Sequence, residues 1–377
     1  MTAIDYRLKI RNSAGIVVGE YGRHIGAPAG HEGLHWLAYQ KSTRGAGFLR
    51  VQISGDTPFL DEMDADSQLD VDLSFDGGAW QNDFIGLWAG DIERTWVDGV
   101  PAILLQCYGS RDLLARSVIA YRAGTVDRTN FTATAAETVA KTLFTYNATA
   151  AATVADGRLL DFQPPVSFTL AVEADAGRGN VVDWFCAWQN LLESLADLSR
   201  VGGGDFDLVR SAVDPTLFTF HWYDLLGTDR TDSIVFALRR DNLVNPRVRF
   251  NVLGAASAVV VGGDGQQAAR NVSVAYAPNY SAVLHREVFL DAWDTTTDAG
   301  RIARGQRRLN ELRPREDFTW EALQTEATRY ARDYFLGDLV TVVRPDTEEN
   351  TVQKVTGVTV GLQTDGTESV HITTEAQ

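Results

Sequence analysis

Residues 332–343 read RDYFLGDLVTVV and begin the stretch of the chain that decides its fold. A polar tip at 346–350 separates this run from two more runs rich in β-branched residues, Val352 to Leu362 and Ser369 to Thr374. The last two runs are split by Thr364-Asp365-Gly366, and Asp-Gly is the strongest short signal for a hairpin turn. The C-terminal end is therefore predicted to be an antiparallel meander that forms the wall of a barrel or sandwich.

A second set of strands is predicted at the N-terminal end. Tyr6, Leu8 and Ile10 alternate with polar residues ahead of a glycine-containing turn, which is typical of a half-buried hairpin. More short strands follow, separated by turns such as Asp76-Gly77-Gly78, and they end near Tyr121. Short strands at this spacing are typical of all-β barrels and sandwiches.

Helical patterns interrupt the strands. Thr134 to Glu137 fits a capping box, Ser/Thr-x-x-Glu, and predicts the start of a first helix. Asn180 to Arg200 repeats apolar residues every three or four positions, which predicts one long helix that ends at Gly202-Gly203-Gly204. Another helix is predicted to open at 295–298, with Ile302 on its apolar side and arginines on the other.

Together these patterns predict an α+β chain that is mostly β. Two tube-like antiparallel β-barrel or sandwich domains flank a smaller α+β domain. The N-terminal tube-like domain is predicted at 1–125, the α+β domain at 126–232, and the second tube-like domain, with one helix, at 233–377. Two or three domains is the expectation for a chain of 377 residues.

Charge and hydropathy exclude several classes of function. The chain has 50 acidic and 34 basic residues, and a net charge of −16 repels nucleic acid rather than binding it. The excess of acids has two interpretations, which both stay open. It increases solubility only, or it forms a negative surface along which DNA passes without binding. No apolar run is long enough to span a membrane, and the N-terminus does not resemble a signal peptide.

Three features of the sequence have to be tested as candidates for metal or thiol chemistry. His31-Glu32-Gly33-Leu34-His35 matches H-E-x-x-H, which binds zinc when both histidines lie on one face of a helix. Glycines surround and interrupt this match, so a loop leading into a strand is favoured. The acids Asp61, Glu62, Asp64, Asp66, Asp70 and Asp72 fail the EF-hand spacing for calcium. Cys107 and Cys186 are predicted to be reduced core residues.

Several stretches of the chain resemble the tail-tip hub proteins of siphophages, which are themselves similar to the baseplate hubs of contractile phages. The stretches that carry the resemblance are Gly47-Phe48-Leu49, Pro58-Phe59-Leu60, Leu113 to Tyr121, Leu191 to Leu195, Gly204-Asp205-Phe206, Val235 to Leu238 and Tyr334 to Val340.

The resemblance implies a structural virion protein and not an enzyme. It implies a homotrimer that joins the sixfold tail tube, or a distal tail protein, to threefold tip components such as fibre or spike proteins. It also implies contact with the C-terminus of the tape-measure protein, transient passage of DNA without specific binding, and no stable membrane association. Such a protein is assembled in the host cytoplasm and located in the virion, at the tail tip. No cofactor, catalytic residue or metal ligand is expected.

Two groups of charged residues become candidate sites under this interpretation. The acids Asp61, Glu62, Asp64 and Asp66 are predicted to face the channel, where they would keep DNA from adhering. The arginines of the last helix are predicted to pair with acids of a neighbouring subunit. These arginines are Arg301, Arg304, Arg307 and Arg308.

Two alternative functions remain open at this point. One is a zinc metalloprotease that uses His31, Glu32 and His35. The other is a carbohydrate-binding receptor module, which nine tryptophans on a β-rich chain suggest.

Overall fold

Two compact units make up the chain. The computed structural model describes residues 4–24, 33–55, 58–97, 99–122, 129–165, 167–252, 254–278, 285–293, 295–313, 315–363 and 367–376. Its contacts group Met1–Leu243 with Ala322–Gln377, which we call unit 1, and leave Val244–Glu321 as unit 2. The domain boundaries predicted near residues 125 and 232 remain a prediction.

Strands dominate the described residues, which confirms the mostly-β class. The strands are β1 (Ile4–Arg11), β2 (Val17–His24), β3 (Leu34–Ser42), β4 (Phe48–Ser54), β5 (Gln68–Phe75), β6 (Gln81–Val97), β7 (Val100–Gly109), β8 (Thr129–Ala135), β9 (Thr169–Val172), β10 (Val181–Cys186), β11 (Asp205–Arg210), β12 (Leu217–Tyr223), β13 (Val235–Phe236), β14 (Leu243–Asn251), β15 (Ala258–Gly262), β16 (Val272–Tyr276), β17 (Glu287–Asp291), β18 (Arg315–Ala322), β19 (Leu339–Val343), β20 (Asn350–Leu362) and β21 (Glu368–Ala376). The α-helices are α1 (Asp112–Ala115), α2 (Ala136–Ala148), α3 (Leu191–Gly202) and α4 (Asp298–Glu311). None of these helices is long and apolar enough to cross a membrane.

One large sheet in unit 1 joins the two ends of the chain. Its strands follow the order β13-β19-β20-β3-β4-β7-β6-β5-β1-β2, and β21 also pairs with β20. The junction is the antiparallel pairing of β20 with β3, from Gly357 opposite Ser42 to Leu362 opposite Leu37. The predicted N-terminal hairpin and C-terminal meander are both confirmed. The Asp365-Gly366 turn lies outside the described residues.

Strand β1 shows how the residue pattern builds this sheet. The alternate side chains of Tyr6, Leu8 and Ile10 are at most 1% exposed, and burying one large apolar side chain is worth about 1.5–3 kcal/mol. The intervening Arg7 and Arg11 donate hydrogen bonds to carboxylates of β5, at 2.7 and 3.0 Å. Because side chains alternate along a strand, a slip of one residue would put these arginines into the core.

Helices α2 and α3 pack with a small sheet in unit 1, as predicted for the α+β part of the chain. That sheet has the order β11-β12-β9, and β12 buries Phe218, Phe220 and Trp222 completely. The ring of Phe144 in α2 stacks on that of Phe220, with centroids 4.8 Å apart. This stacked aromatic pair contributes to holding α2 against the sheet.

The prediction of one helix over 180–200 is wrong in its first part. Val181–Cys186 form β10, which pairs with β8, and α3 begins only at Leu191. Val182 and Cys186 are buried on the same side of the strand, so the segment also fits a period of two. Valine and the aromatic residues of this segment favour a strand. The glycine stop is confirmed, since Gly203 ends α3 with a φ of 68°.

The predicted capping box at Thr134 is also wrong. Ala135 is the N-cap residue of α2, and the Thr134 hydroxyl instead donates to the carbonyl of Thr132 at 3.1 Å. The carboxylate of Glu137 accepts hydrogen bonds from the guanidinium of Arg178, at 2.8 and 3.0 Å. The backbone amide of Arg178 donates to the same carboxylate at 2.6 Å, so residue 178 occupies the group that a capping box would have used.

Glu137 and Glu173 share two cations in a cluster that is buried at Glu137 and Lys141 and half-buried at Glu173 and Arg178. Lys141 pairs with both carboxylates, and Arg178 does the same. Burial acts to raise the pKa of Glu137, but hydrogen bonds from Arg178 and Lys141 outweigh it and lower the pKa to about 2. Burial likewise acts against ionisation of Glu173, and the amide of Trp222 and the neighbouring cations lower its pKa to about 2. Both carboxylates therefore remain ionised at neutral pH.

A second polar cluster joins β3 and β6 of the large sheet to the segment between β18 and β19. Asp83 is the extra residue of a bulge in β6, where Asp72 lies opposite Asn82 and Val71 lies opposite Phe84. Its carboxylate accepts hydrogen bonds from Tyr39 at 2.6 Å, from Lys41 at 2.7 Å and from Tyr330 at 3.0 Å. Burial raises the pKa of Tyr39 and of Tyr330, so both phenols stay protonated and donate.

Unit 2 combines a strand pair with a sheet and a helix. Strand β14 pairs with β18, and a three-stranded sheet has the order β16-β15-β17. The residues of α4 that are buried are Arg301, Gly305 and Leu309. Leu309 is therefore buried as predicted, whereas Ile302 is 38% exposed and Arg301, predicted on the opposite side, is buried. A Cβ atom at Gly305 would lie 2.6 Å from that of Ala275 and 3.0 Å from a methyl group of Val261, so glycine allows the helix to approach the sheet.

Replacing Asp83 tests the contribution of its cluster to stability. We expect Asp83→Ala to lower the free energy of unfolding by about 3 kcal/mol, because two buried hydroxyls and a half-buried cation lose their acceptor. Urea denaturation followed by fluorescence measures the change. The control is Asp91→Ala, an exposed acid on the same strand, which should change stability by less than about 0.5 kcal/mol. Equal effects of the two variants would contradict the prediction.

The low pKa values of Glu137 and Glu173 predict a dependence of stability on pH. A carboxylate with a folded pKa of about 2 and an ordinary value of 4.5 contributes stability that is present above pH 4.5 and is lost as the pH falls towards 2. We expect Glu137→Gln to destabilise the protein at pH 7 by about 3 kcal/mol and to flatten the loss of stability between pH 5 and pH 2. Denaturation midpoints at several pH values provide the measurement. The control is Glu193→Gln, which changes an exposed acid. If the stability of Glu137→Gln falls between pH 5 and pH 2 as steeply as that of the wild type, the cluster is not the source of the pH dependence.

Candidate functional site

The predicted channel-facing acids form a turn between a short 3-10 helix, Pro58–Glu62, and β5. Asp61 and Glu62 are exposed, and among the described residues neither carboxylate has a hydrogen-bond or ion-pair partner. Exposed carboxylates without a partner keep their full charge towards solvent, as a surface that repels polyanions requires.

Asp64 and Asp66 differ from that pair because the fold uses both carboxylates. Asp64 accepts hydrogen bonds from the hydroxyl and the amide of Ser13 and from the hydroxyl of Ser67, and these bonds lower the pKa of Asp64. Asp66 adopts a φ of 71° and pairs with Arg116 at 2.7 Å. That all four acids face a channel stays a prediction, and the structure separates them into two solvent-facing acids and two acids that also fix the turn.

Asp70 and Asp72 are occupied by arginines rather than arranged around a cation. Asp70 pairs with Arg11 at 3.0 Å and with Arg210 at 2.5 Å. Burial acts to raise the pKa of Asp72, but hydrogen bonds from Asn82 and Arg7 lower it. Within the described part of the chain, no group of three or more acids, histidines or cysteines is arranged to hold a metal ion.

The four arginines of α4 lie in different environments. Arg301 is buried in unit 2, where its Nε donates to the Ser273 hydroxyl at 2.7 Å. Arg308 pairs with Glu311 at 2.6 Å. Arg307 is exposed and Arg304 is half-buried. Contact of these arginines with a neighbouring subunit stays a prediction, although Arg301 already has its partners inside unit 2.

The zinc motif is not supported where the structure describes it. His35 lies in β3, an extended strand, whereas H-E-x-x-H needs both histidines on one helix. His31 and Glu32 lie outside the described residues. Cys107 and Cys186 are buried free thiols. Burial raises the pKa of both thiols, to about 11 for Cys186, so neither is a nucleophile at neutral pH.

A cavity of about 340 Å³ in unit 1 is lined by charged residues that neutralise each other. Lys41 pairs with Asp83 at 2.7 Å, and Arg111 pairs with Asp207 at 2.9 Å. Arg210 also lines the cavity and is held by Asp70. These pairs leave the lining cations engaged by protein carboxylates, so the cavity is not arranged to bind an anion or to activate a nucleophile.

Several tryptophans are not available to a sugar-binding platform. Trp88, Trp222 and Trp320 are buried. Two of the exposed ones are engaged by arginines, since the guanidinium of Arg7 lies 4.4 Å from the ring centroid of Trp80 and Arg122 contacts Trp188. Trp96 and Trp293 are the remaining exposed ones, and a carbohydrate-binding role stays a prediction.

Sequence reasoning missed one surface of unit 2. The strands β15, β16 and β17 expose apolar side chains on the face that does not meet α4, among them Val272 and Phe289. A signal was present, because β15 reads Ala-Val-Val-Val-Gly, and an uninterrupted apolar run is typical of a strand that is buried on both faces.

Comparison with solved structures identifies proteins of the same fold. A 43 kDa tail protein of prophage MuSo2 from Shewanella oneidensis aligns with a TM-score of 0.58, 13% identity and 98% coverage of both chains. A tail protein from Neisseria meningitidis MC58 aligns with a TM-score of 0.54, 15% identity and coverage of 98% of this chain and 96% of that one. A chain of the Francisella PdpA–VgrG complex aligns with a TM-score of 0.51, 9% identity and coverage of 97% and 50%.

Comparison of the sequence identifies its family. No curated protein matches the chain. The profile of the Siphovirus ReqiPepy6 Gp37-like proteins matches residues 111–374, a span that contains the α+β part, unit 2 and the C-terminal strands. Since this match covers more than half of the chain, the protein belongs to the family of Siphovirus ReqiPepy6 Gp37-like proteins.

Proposed function

We propose that the protein is the trimeric hub of a siphophage tail tip, in which three copies surround the passage for DNA. The observation that carries the proposal is the match to a siphovirus family over residues 111–374. The fold shared with two prophage tail proteins over nearly the whole chain supports it.

The proposed role of the large sheet is to form the wall of the ring. Strands from the N-terminal and C-terminal ends of the chain pair directly within this sheet. Backbone hydrogen bonds, and not a long loop, therefore join the two parts of the wall. We propose that three such walls close into tube-like barrels, because closure pairs every strand and removes exposed edges. The function is then mechanical and electrostatic, without catalysis or a cofactor.

The proposed neighbours lie at the two ends of this ring. On one side the hub meets the tail tube or a distal tail protein, together with the C-terminus of the tape-measure protein. On the other side it meets fibre or spike proteins. A chain with this fold occurs in the PdpA–VgrG complex, and we infer that the present protein likewise holds a partner at its tip. The protein would be assembled in the host cytoplasm and carried in the virion.

The mass of the purified protein tests the proposed trimer. A chain of 41.3 kDa should give a particle of three times that mass, and no species of one chain should remain at micromolar concentration. Native mass spectrometry and light scattering provide the measurement. A monomer at every concentration would reject the trimeric hub.

The two exposed acids of the turn test the proposed channel. We expect Asp61→Asn combined with Glu62→Gln to slow DNA release from particles several-fold, because the neutralised surface repels the DNA backbone less. Asp64 and Asp66 are left intact because they also hold the turn. The matched control is Asp232→Asn with Glu193→Gln, two exposed acids elsewhere in unit 1. The rate of DNA ejection is measured by dye release from wild-type, variant and control particles. Equal rates in all three would contradict a position of the turn in the channel.

A further inference from the structure

The cavity of about 340 Å³ in unit 1 is lined by residues of two sheets. Residues 82–85 of β6 belong to the large sheet, and residues 207–210 of β11 belong to the three-stranded sheet of the α+β part. Clefts of about 300–1,000 Å³ are the usual binding places of small molecules in proteins. The volume therefore fits a small ligand.

Charge inside the cavity is balanced. The charged residues that line it are the cations Lys41, Arg111 and Arg210 and the acids Asp83 and Asp207. A third acid, Asp70, lies behind this lining and holds Arg210 at 2.5 Å. Three cations and three acids cancel, so a ligand with a net charge would enter a site that offers no counter-charge. The balance therefore favours a neutral ligand.

Acceptor capacity remains on two sides of the cavity after these pairs have formed. Oδ1 of Asp207 accepts from Nε of Arg111 at 2.9 Å and from the amide of Leu208 at 2.8 Å, whereas Oδ2 has no partner among the described residues. The side-chain nitrogen of Asn82 donates to Asp72 at 3.0 Å, and its side-chain oxygen likewise has no partner within the described part of the chain. One unused acceptor thus comes from β11 and another from β6.

Donors line the same cavity. Nζ of Lys41 uses one N–H group in its bond to Asp83 and has two more. The hydroxyl oxygen of Ser42 accepts from the amides of Arg44 and Gly45 at 3.2 and 3.1 Å, and its own proton has no acceptor in the described ranges. A ligand hydroxyl both donates and accepts hydrogen bonds, so hydroxyl groups can satisfy both kinds of unused group.

Apolar side chains complete the lining. Val209 is 39% exposed, and Ile85 and Leu336 are half-buried. A sugar ring carries C–H groups on its faces and hydroxyl groups around its edge, which matches apolar side chains beside polar ones. None of the described tryptophans lines the cavity, so the site is separate from the exposed tryptophans.

We propose that this cavity binds a neutral saccharide unit. Asp207 and Asn82 accept hydrogen bonds from its hydroxyl groups, Lys41 and Ser42 donate to them, and Val209 packs against the ring. Because protein charge pairs already hold Asp207 and Lys41, little side-chain freedom is lost when the sugar binds. Sugar recognition goes beyond the mechanical role of a hub and does not depend on a trimer.

The test measures the binding of free sugars to the full chain. The probes are glucose, galactose, rhamnose and N-acetylglucosamine, and saturation-transfer NMR observed on the sugar gives each dissociation constant. We expect at least one of these sugars to bind. Its dissociation constant should stay the same from low salt to about 0.5 M sodium chloride, because salt does not screen a neutral ligand. Inorganic phosphate should not compete with it.

Two cavity variants locate the bound sugar. Asp207→Asn keeps an oxygen for Arg111 but replaces the unused acceptor by a donor, so the dissociation constant should rise at least about tenfold. Val209→Trp places a large ring in the cavity and should abolish binding, and it serves if Asp207→Asn fails to fold. Circular dichroism verifies the fold of each variant.

The matched controls are Asp232→Asn and Val213→Trp, which make the same changes at exposed positions of unit 1 outside the cavity. Both should bind the sugar as the wild type does. Binding of none of the sugars would overturn the proposal, and so would unchanged affinity in both cavity variants. Competition by phosphate, or weakening by salt, would show that the cavity takes an anion instead. A monomer that binds sugar as described would reject the hub and leave this site standing.

Discussion

The carboxylate of Asp83 joins N-terminal strands of the large sheet to the segment that leads into the C-terminal strands. It accepts hydrogen bonds from Tyr39 and Lys41 of β3 and from Tyr330, which lies 247 residues further along. Glu368 acts in the same way, because it accepts hydrogen bonds from Tyr6 and from Arg329. The large sheet is complete only when β20 pairs with β3, and these acceptors are satisfied only in the correct register.

The α+β part is attached to the sheet through further charged groups. Lys354 of β20 contacts both carboxylate oxygens of Asp205 at 2.6 Å, and Arg210 of β11 reaches Asp70 of β5. The first pair is buried and the second is buried at Asp70, and a buried pair is costly to break because it leaves one charge uncompensated. The α+β part therefore resists displacement along the large sheet, because a displaced charge would lose its partner without gaining access to water. That property suits a component that must keep its shape under load.

Local patterns predicted most strands of unit 1, because period-two alternation records directly which side chains face the core. Positions such as Tyr6, Leu8 and Ile10 follow this rule. The helix over 180–200 was placed too early because Val182 and Cys186 fit periods of two and of four equally well, and pairing with β8 decides between them. The acceptor role of Asp83 could not be predicted, since its donors are distant in sequence. The acidic turn was visible, but its division into solvent-facing and structural acids depends on Ser13 and Arg116.

The strong negative charge and the proposed assembly place opposite demands on one chain. An acidic lining favours the passage of DNA, but the same charge opposes the approach of two copies. Screening at physiological salt acts over about 8 Å, so repulsion matters only where charged surfaces come close. A chain satisfies both demands if the residues that touch another copy carry almost no net charge. Unit 2 has a nearly balanced composition, with ten arginines offset by nine acids. The excess of acids is thus confined to unit 1, which is the distribution that the proposed channel and the proposed assembly together require.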